Sequence, residues 1–403
     1  MARETTSKSS SRDYDDDSYE REYRSRHDRE LKNRRDGGSC WPKFLVFLLF
    51  LGGGLGAFFG LIDLDTMEGW FGVGSGGGGG DNDGNSGGSG GGPAYNFNQC
   101  PDDGSECCNG LESNCDLRIN EMLYATVHNA NHDDLLVNNH DAPFEGSLDA
   151  GYRSLMFDVC RCDDNNGNAE IVFCHASCGI GERNPTEVFE NVDKFLNDNP
   201  NEFIIFNFEM NRPDVNPPQQ AELWDIVAKI DSFKKKIYNH SGNEWPTGRE
   251  TIESGKRVFF FQHNGWYLCN TGNEAECNQR IENFHDYAIE TDWAFGDIEE
   301  IENTATSCIG TRGELGSKDF YAINNFVTTF IGPSKFQAET LNSKDFALKR
   351  IEDCKSVTNL DANFLNVDFW QRGDIPEVAQ IINIQRGQKN KRSLRRFLRW
   401  IRN

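Results

Sequence analysis

The sequence predicts an α/β chain of the TIM (β/α)8-barrel type, preceded by one transmembrane helix, and three observations carry the barrel. Short apolar, β-rich runs recur at residues 123–127, 155–159, 171–174, 203–208, 258–261, 320–323 and 364–367, as buried strands require. Helical patterns fall between several of them. Asn184-Pro185-Thr186-Glu187 supplies an N-cap, a proline at the first helical position and a glutamate at the third, ahead of a run with helical spacing. Further helices are predicted over 219–238, 335–354 and 376–382. Finally, the alternating region, 95–385, holds about 290 residues, near the ~250 typical of such barrels. A doubly wound sheet competes with this reading, but no GxGxxG or P-loop motif follows any of the runs.

Ahead of the barrel the chain divides into three. Residues 1–43 are rich in Arg, Asp, Ser and Tyr, with few apolar residues until the last few, and are expected to be a disordered tail. Residues 44–62 run for 19 positions without a charge, about the ~20 needed to cross ~30 Å of hydrocarbon. A cleaved signal peptide would carry only a short charged region before its apolar run, whereas 43 residues precede this one. Arg34, Arg35 and Lys43 precede the span, and Asp63, Asp65 and Glu68 follow it. The positive-inside rule then gives a type II signal-anchor, with 1–43 cytosolic and the barrel domain lumenal or extracellular. Gly52, Gly56 and Gly60 form GxxxGxxxG, which either pairs two spans into a weak homodimer or reflects the frequency of Gly in membrane helices. Residues 63–94 read as a Gly-rich flexible linker.

Charge excludes one class of partner. The chain has 41 Lys/Arg against 64 Asp/Glu, net −23, and the excess acid lies in 95–385. Nucleic acid is therefore not an expected partner, because a phosphate backbone needs a basic face. The segment 386–403 differs, with 8 Lys/Arg and no acid. There Leu394, Phe397, Leu398 and Ile401 recur at helical spacing opposite Arg392, Arg395, Arg399 and Arg402. Such a basic amphipathic tail suits a membrane surface, or equally docking on an acidic barrel. Of 13 cysteines, 12 follow the apolar span. Paired CxxC motifs are missing, so six disulfides in an oxidising compartment are favoured over zinc, although Cys174-His175 leaves a metal reading open.

Residues just past the strand C-termini of a barrel line its active face. His128 follows the first run and His175 the third, while Asp158, Glu209 and Asp368 lie at the ends of three others. Two imidazoles suit a reaction in which a base takes a proton from an attacking hydroxyl and an acid gives one to a leaving alkoxide. Either His alone reads as structural. Five polar groups at five strand ends point to a site.

The strings ATVHN at 125–129, LDAGYRSLMFD at 148–158, FCH at 173–175 and NPNEFII at 199–205 resemble the X region of phosphatidylinositol-specific phospholipases C. AINNFV at 322–327 and NFLNVDF at 363–369 resemble the secreted, cysteine-bearing branch of the phospholipase C-like phosphodiesterases. The resemblance implies a TIM barrel that cleaves a phosphodiester on its glycerol side, an inositol hydroxyl attacking phosphorus to give a cyclic phosphate. It implies His128 as general base, Asp368 as the carboxylate that orients it, and His175 as general acid.

The same resemblance implies two ways of neutralising the phosphate. Calcium-dependent members use an Asn and three acids. Asn129, Asp158 and Glu209 match, and Met156 stands where the third acid belongs. Calcium-independent members use an Arg two residues after the strand Asp; Cys160 stands there, with Arg161 beside it. The oxygen-rich set favours a divalent cation, Ca²⁺ first. A salt bridge between these acids and Arg153 is the competing reading. Arg161, Gln262, His263 and Trp293 are further candidates for contact with the substrate head group. The expected function is thus a membrane-anchored phosphoric diester hydrolase acting on a phosphoinositide or related phospholipid. A catalytically weak inositol-lipid or cation-binding ectodomain, and a glycerophosphodiesterase or sphingomyelinase D-like barrel, are the alternatives.

Overall fold

The structure is a computed structural model that describes residues 107–131, 138–163, 169–175, 178–179, 181–210, 218, 220–242, 244–263, 281–313, 318–329 and 332–402. The 1–43 tail, the 44–62 span, the 63–94 linker and the boundary at residue 95 lie outside them. Among the described residues no helix is long and apolar enough to cross a membrane.

Each of the seven apolar runs forms a strand. In chain order the described strands are β1 Tyr124–Val127, β2 Ser154–Asp163, β3 Ala169–Cys174, β4 Ile204–Met210, β5 Val258–His263, β6 Glu282–Asn283, β7 Ala288–Thr291, β8 Gly310–Arg312, β9 Phe320–Asn324, β10 Thr328–Thr329, β11 Gly332–Pro333 and β12 Phe364–Val367. All but β10 and β11 join one sheet in the order β6-β5-β4-β2-β1-β12-β9-β7-β8, with β3 against β2. From β6 to β7 every neighbouring pair is parallel. This is the order of a barrel opened between β6 and β7, and among the described residues no ladder joins those two strands. The closed (β/α)8 expectation is corrected to that extent.

The sheet nevertheless curls. Phe261 of β5 and Phe320 of β9 are five strand steps apart, about 24 Å on a flat sheet at ~4.8 Å per strand. Their ring centroids lie 5.7 Å apart. Phe284, just after β6, meets both Phe261 and Phe364 of β12 at 5.7 and 5.6 Å. Inward aromatic rings thus fill the lower interior and draw the two ends of the sheet together, since burying them removes much apolar surface from water. Outward Phe206, Phe208 and Phe260 pack on Phe189 of the helix Pro185–Asp198, and Phe206 and Phe260 also on Phe233 of Asp231–Lys236. The predicted N-cap holds: the Asn184 side chain accepts from the Thr186 N–H at 2.8 Å, with Pro185 at the first helical position.

Two expectations change here. The run 171–174 is no barrel strand. β3 returns antiparallel to β2, placing Cys174 opposite Asp158. The helices expected over 219–238 and 335–354 are also broken, the first into Gln220–Ala228 and Asp231–Lys236 at non-helical Ile230, the second into Lys335–Leu341 and Lys344–Thr358 at extended Ser343. At the C-terminus, 376–382 and the basic tail form one helix, Ile375–Arg402. Arg386 donates to the carbonyls of Glu121 and Ala362, and Lys391 pairs with Glu112 and Asp116. The first part of the tail is therefore docked on the barrel; beyond residue 392 only the helical backbone is described.

Beneath the sheet Arg153 Nε donates to Glu202 at 2.5 Å, both side chains almost fully buried. Breaking such a pair leaves a buried charge alone, costing about 3–5 kcal/mol. Glu202→Ala should lower the urea midpoint accordingly, whereas a fall under half of that would show the pair to be incidental.

Candidate active site

Strand parity decides what faces the interior. Tyr124 and Phe364 point inward, and two and four residues further along come Thr126 and His128, Asn366 and Asp368. On β2, β4 and β5 the same parity carries Asp158, Glu209 and His263. The polar groups thus form the layer at the C-terminal ends of the strands, above the aromatic floor.

His128 Nδ1 lies 2.8 Å from Asp368 Oδ1, which also accepts from Asn139 Nδ2 at 2.7 Å. The Asn342 side chain donates to the Asp368 backbone carbonyl at 2.8 Å, so the residue that ends the Lys335–Leu341 helix fixes the backbone that carries this carboxylate. Because the carboxylate accepts from Nδ1–H, the lone pair of His128 sits on Nε2. One further contact fixes the ring and another the backbone of His128. Phe326 stacks on the ring at 3.9 Å and 7° between planes, and His140 Nε2 meets the His128 carbonyl at 2.6 Å. Just beyond these residues the backbone turns through left-handed conformations at Asn129 (φ 47°) and Phe369 (φ 50°). Asn tolerates that region; for Phe it is strained, as often happens beside a site.

Burial alone would depress the His128 pKa. The Asp368 charge and hydrogen bond, then the charges of Asp158 and Glu209, outweigh it and hold the pKa above its ordinary value. Asp158 and Glu209 are register partners on β2 and β4, so their carboxylates share one face at the mouth. Arg153, just before β2 at its far end, is taken up by Glu202 and does not bridge them. Asn129, Asp158 and Glu209 offer one amide and two carboxylates, hard oxygens that fit Ca²⁺; Met156 faces the same side and adds no oxygen.

His175 follows β3 and is half-buried at the level of Asp158, brought there by the hairpin. Disulfides Cys160–Cys174 and Cys162–Cys178 staple that hairpin, so Cys174 is no zinc ligand and Cys160 offers no charge. Cys108–Cys115 and Cys308–Cys354 are also bonded, as is Cys107.

The remaining candidates disperse. Arg161 lies on the outward face of β2 and pairs with Glu222 of the helix Gln220–Ala228. Gln262 alternates with inward His263, faces out with Phe208 and is 4% exposed. Trp293, 36% exposed, stands on the rim after β7 and keeps its ring available. His263 is inward but 1% exposed, stacked on Phe284 at 4.6 Å. Burial first, then the positive surroundings of His285 and Arg312, push its pKa down to about 3 although Glu290 opposes them.

Glu290 and Arg312 were not legible in the sequence. Glu290 is the third residue of β7, fully buried, and Arg312 on β8 is its register partner. Arg312 Nη2 donates to Glu290 Oε1 at 2.6 Å, and its Nη1 lies 3.7 Å from Glu209 Oε1. Gly310 permits the close approach of β8, for a Cβ there would sit 2.0 Å from Ile289 Cγ2.

The PI-PLC X family model matches residues 114–383. PI-PLC X domain-containing protein 1 of Arthroderma benhamiae is 23% identical over 291 residues, spanning 68% of this chain and 89% of that protein. Among solved structures, the F249X mutant of phosphatidylinositol-specific phospholipase C from Staphylococcus aureus aligns at 15% identity and TM-score 0.46, covering 68% of this chain and 95% of its own. The phosphatidylinositol-specific phospholipase C of Listeria monocytogenes gives 15% and 0.46, covering 68% and 96%. With well over half of its length inside the family match, the chain belongs to the PI-PLC X family.

Proposed function

We propose that this chain is a phosphoric diester hydrolase of the phospholipase C type, acting on an inositol phospholipid from the lumenal or extracellular side of a membrane. The observation that carries the reading is the His128–Asp368 pair, with a basic Nε2 left over at the mouth of the curled sheet. Asp368 holds the imidazole in one tautomer and stabilises the imidazolium that forms. Nε2 takes the proton of an inositol hydroxyl as its oxygen attacks phosphorus. His175 gives a proton to the departing glycerol oxygen, and a cyclic inositol phosphate and diacylglycerol result. Water can open the ring by the reverse proton transfers. Ca²⁺ held by Asn129, Asp158 and Glu209 would offset the phosphate charge. The four disulfides paired among the described cysteines support an oxidising compartment.

A base must be unprotonated, so kcat/KM should rise with pH through a value above the ordinary 6.5 of a histidine. Glu209→Gln removes one of the charges that raise the pKa of His128 and should move this limb toward lower pH. A limb that stays in place would take His128 out of the base role. For the site's competence as a whole, the purified protein should be assayed on phosphatidylinositol vesicles with Ca²⁺ and with chelator. Turnover that falls in chelator supports the oxygen site, while lipid binding with no product in either condition favours the binding-ectodomain reading that Met156 and Cys160 leave standing. Protease protection of the domain in intact vesicles tests the topology.

A further inference from the structure

Beside the His128 site lies a second cluster whose chemistry differs. His263 Nδ1 and His285 Nε2 stand 3.7 and 3.2 Å from the same atom, Glu290 Oε2. The three donors lie within 4.8 Å of one another. The other oxygen of Glu290 is held elsewhere, accepting from Arg312 Nη2 at 2.6 Å and Asn324 Nδ2 at 3.0 Å. Oε2 is thereby left for the two imidazoles.

A hydrogen-bond reading accounts for only part of this. His285 can donate to Oε2. At 3.7 Å His263 cannot, and both its ring nitrogens are buried with no hydrogen-bond partner. Three donors around a tetrahedral ion at ~2.0–2.2 Å are about 3.3–3.6 Å apart, a spacing that 3.2 and 3.7 Å bracket. The grip of Arg312 and Asn324 on Oε1 is the outer-shell support that ligating carboxylates have.

The geometry points to a second metal site, His263, His285 and Glu290, that takes a divalent transition ion of the zinc type. Two imidazole nitrogens and one carboxylate suit Zn²⁺ and are the wrong donors for Ca²⁺. Such a set leaves a fourth position open to water or a phosphate oxygen. His263 is the register partner of Glu209, so that position borders the mouth where Met156 and Cys160 supply no charge.

The test reads metal content and not turnover, so its failure leaves the phosphodiesterase reading untouched. Untagged, disulfide-intact protein is stripped with chelator, dialysed and titrated calorimetrically with ZnCl₂, and Co²⁺ spectra are recorded in parallel. One ion per chain is expected. An outer-shell change typically costs about 10–100-fold in affinity, so loss of a ligand in His263→Gln or His285→Gln should cost at least about 100-fold. Glu209→Gln should retain the ion. His285 is partly exposed, which keeps a folded variant in hand if the buried His263 change does not fold. No stoichiometric Zn²⁺ in the wild type, undiminished binding in His285→Gln, or loss confined to Glu209→Gln would each overturn the site.

Discussion

His128→Ala should reduce turnover of phosphatidylinositol by about 10²–10⁴-fold, the range that a positioned general base contributes. The loss should fall on kcat with little change in KM, because a proton acceptor acts in the transition state and adds little to ground-state binding. Folding is not the expected casualty. The ring is held by Phe326 and Asp368, yet it sits at the mouth and not in the aromatic floor. His128→Gln keeps the volume and a polar contact to Asp368 but offers no basic nitrogen, so it should be as inactive as the alanine variant. Activity near wild type in the glutamine variant, with an unchanged melting temperature, would show that the imidazole only packs.

The second large effect belongs to Asp368. An Asn there keeps size and shape, and its amide can present NH₂ to Nδ1, favouring the tautomer with the proton on Nε2. That proton blocks the lone pair that must do the work. Asp368→Asn should therefore lose on the order of 10²–10⁴-fold, about as much as removing the base itself. It should also lower the His128 pKa, since the carboxylate both carries charge and accepts the hydrogen bond. NMR titration of the His128 ring separates these consequences from unfolding. A lower pKa with lost activity supports the dyad, and an unchanged pKa would separate Asp368 from it. Asn139 donates to this carboxylate and Asn342 to the Asp368 backbone carbonyl, from two other segments. Their alanine variants should show smaller losses in the same direction.

What the sequence conveyed and what it hid have physical reasons. Runs such as 203–208 and 258–261 are apolar on both faces because the sheet is packed inside and out. That continuity marks the strands but hides parity, so Gln262 and His263 look alike in the sequence although one faces out and the other in. β7 escaped because it is four residues long with Glu290 within it, and only the partnership with Arg312, 22 residues away, lets a carboxylate be buried there. The direction of β3 was equally hidden. A strand that returns as a hairpin has the composition of one that continues a barrel, and the disulfides that reveal the return join cysteines 14 and 16 residues apart. By contrast His128, Asp158, Glu209 and Asp368 could be singled out from the sequence because each sits at the C-terminal end of a strand, where a parallel sheet gathers its polar groups.

The direct test of the central claim is ³¹P NMR of phosphatidylinositol vesicles incubated with the purified, disulfide-intact protein, beside folded His128→Ala and His175→Ala variants. Hydrolysis through this pair predicts a cyclic inositol phosphate resonance with the wild-type protein, lost in both variants. No water-soluble inositol phosphate from the wild type, with or without Ca²⁺, or an undiminished signal from both variants, would contradict it.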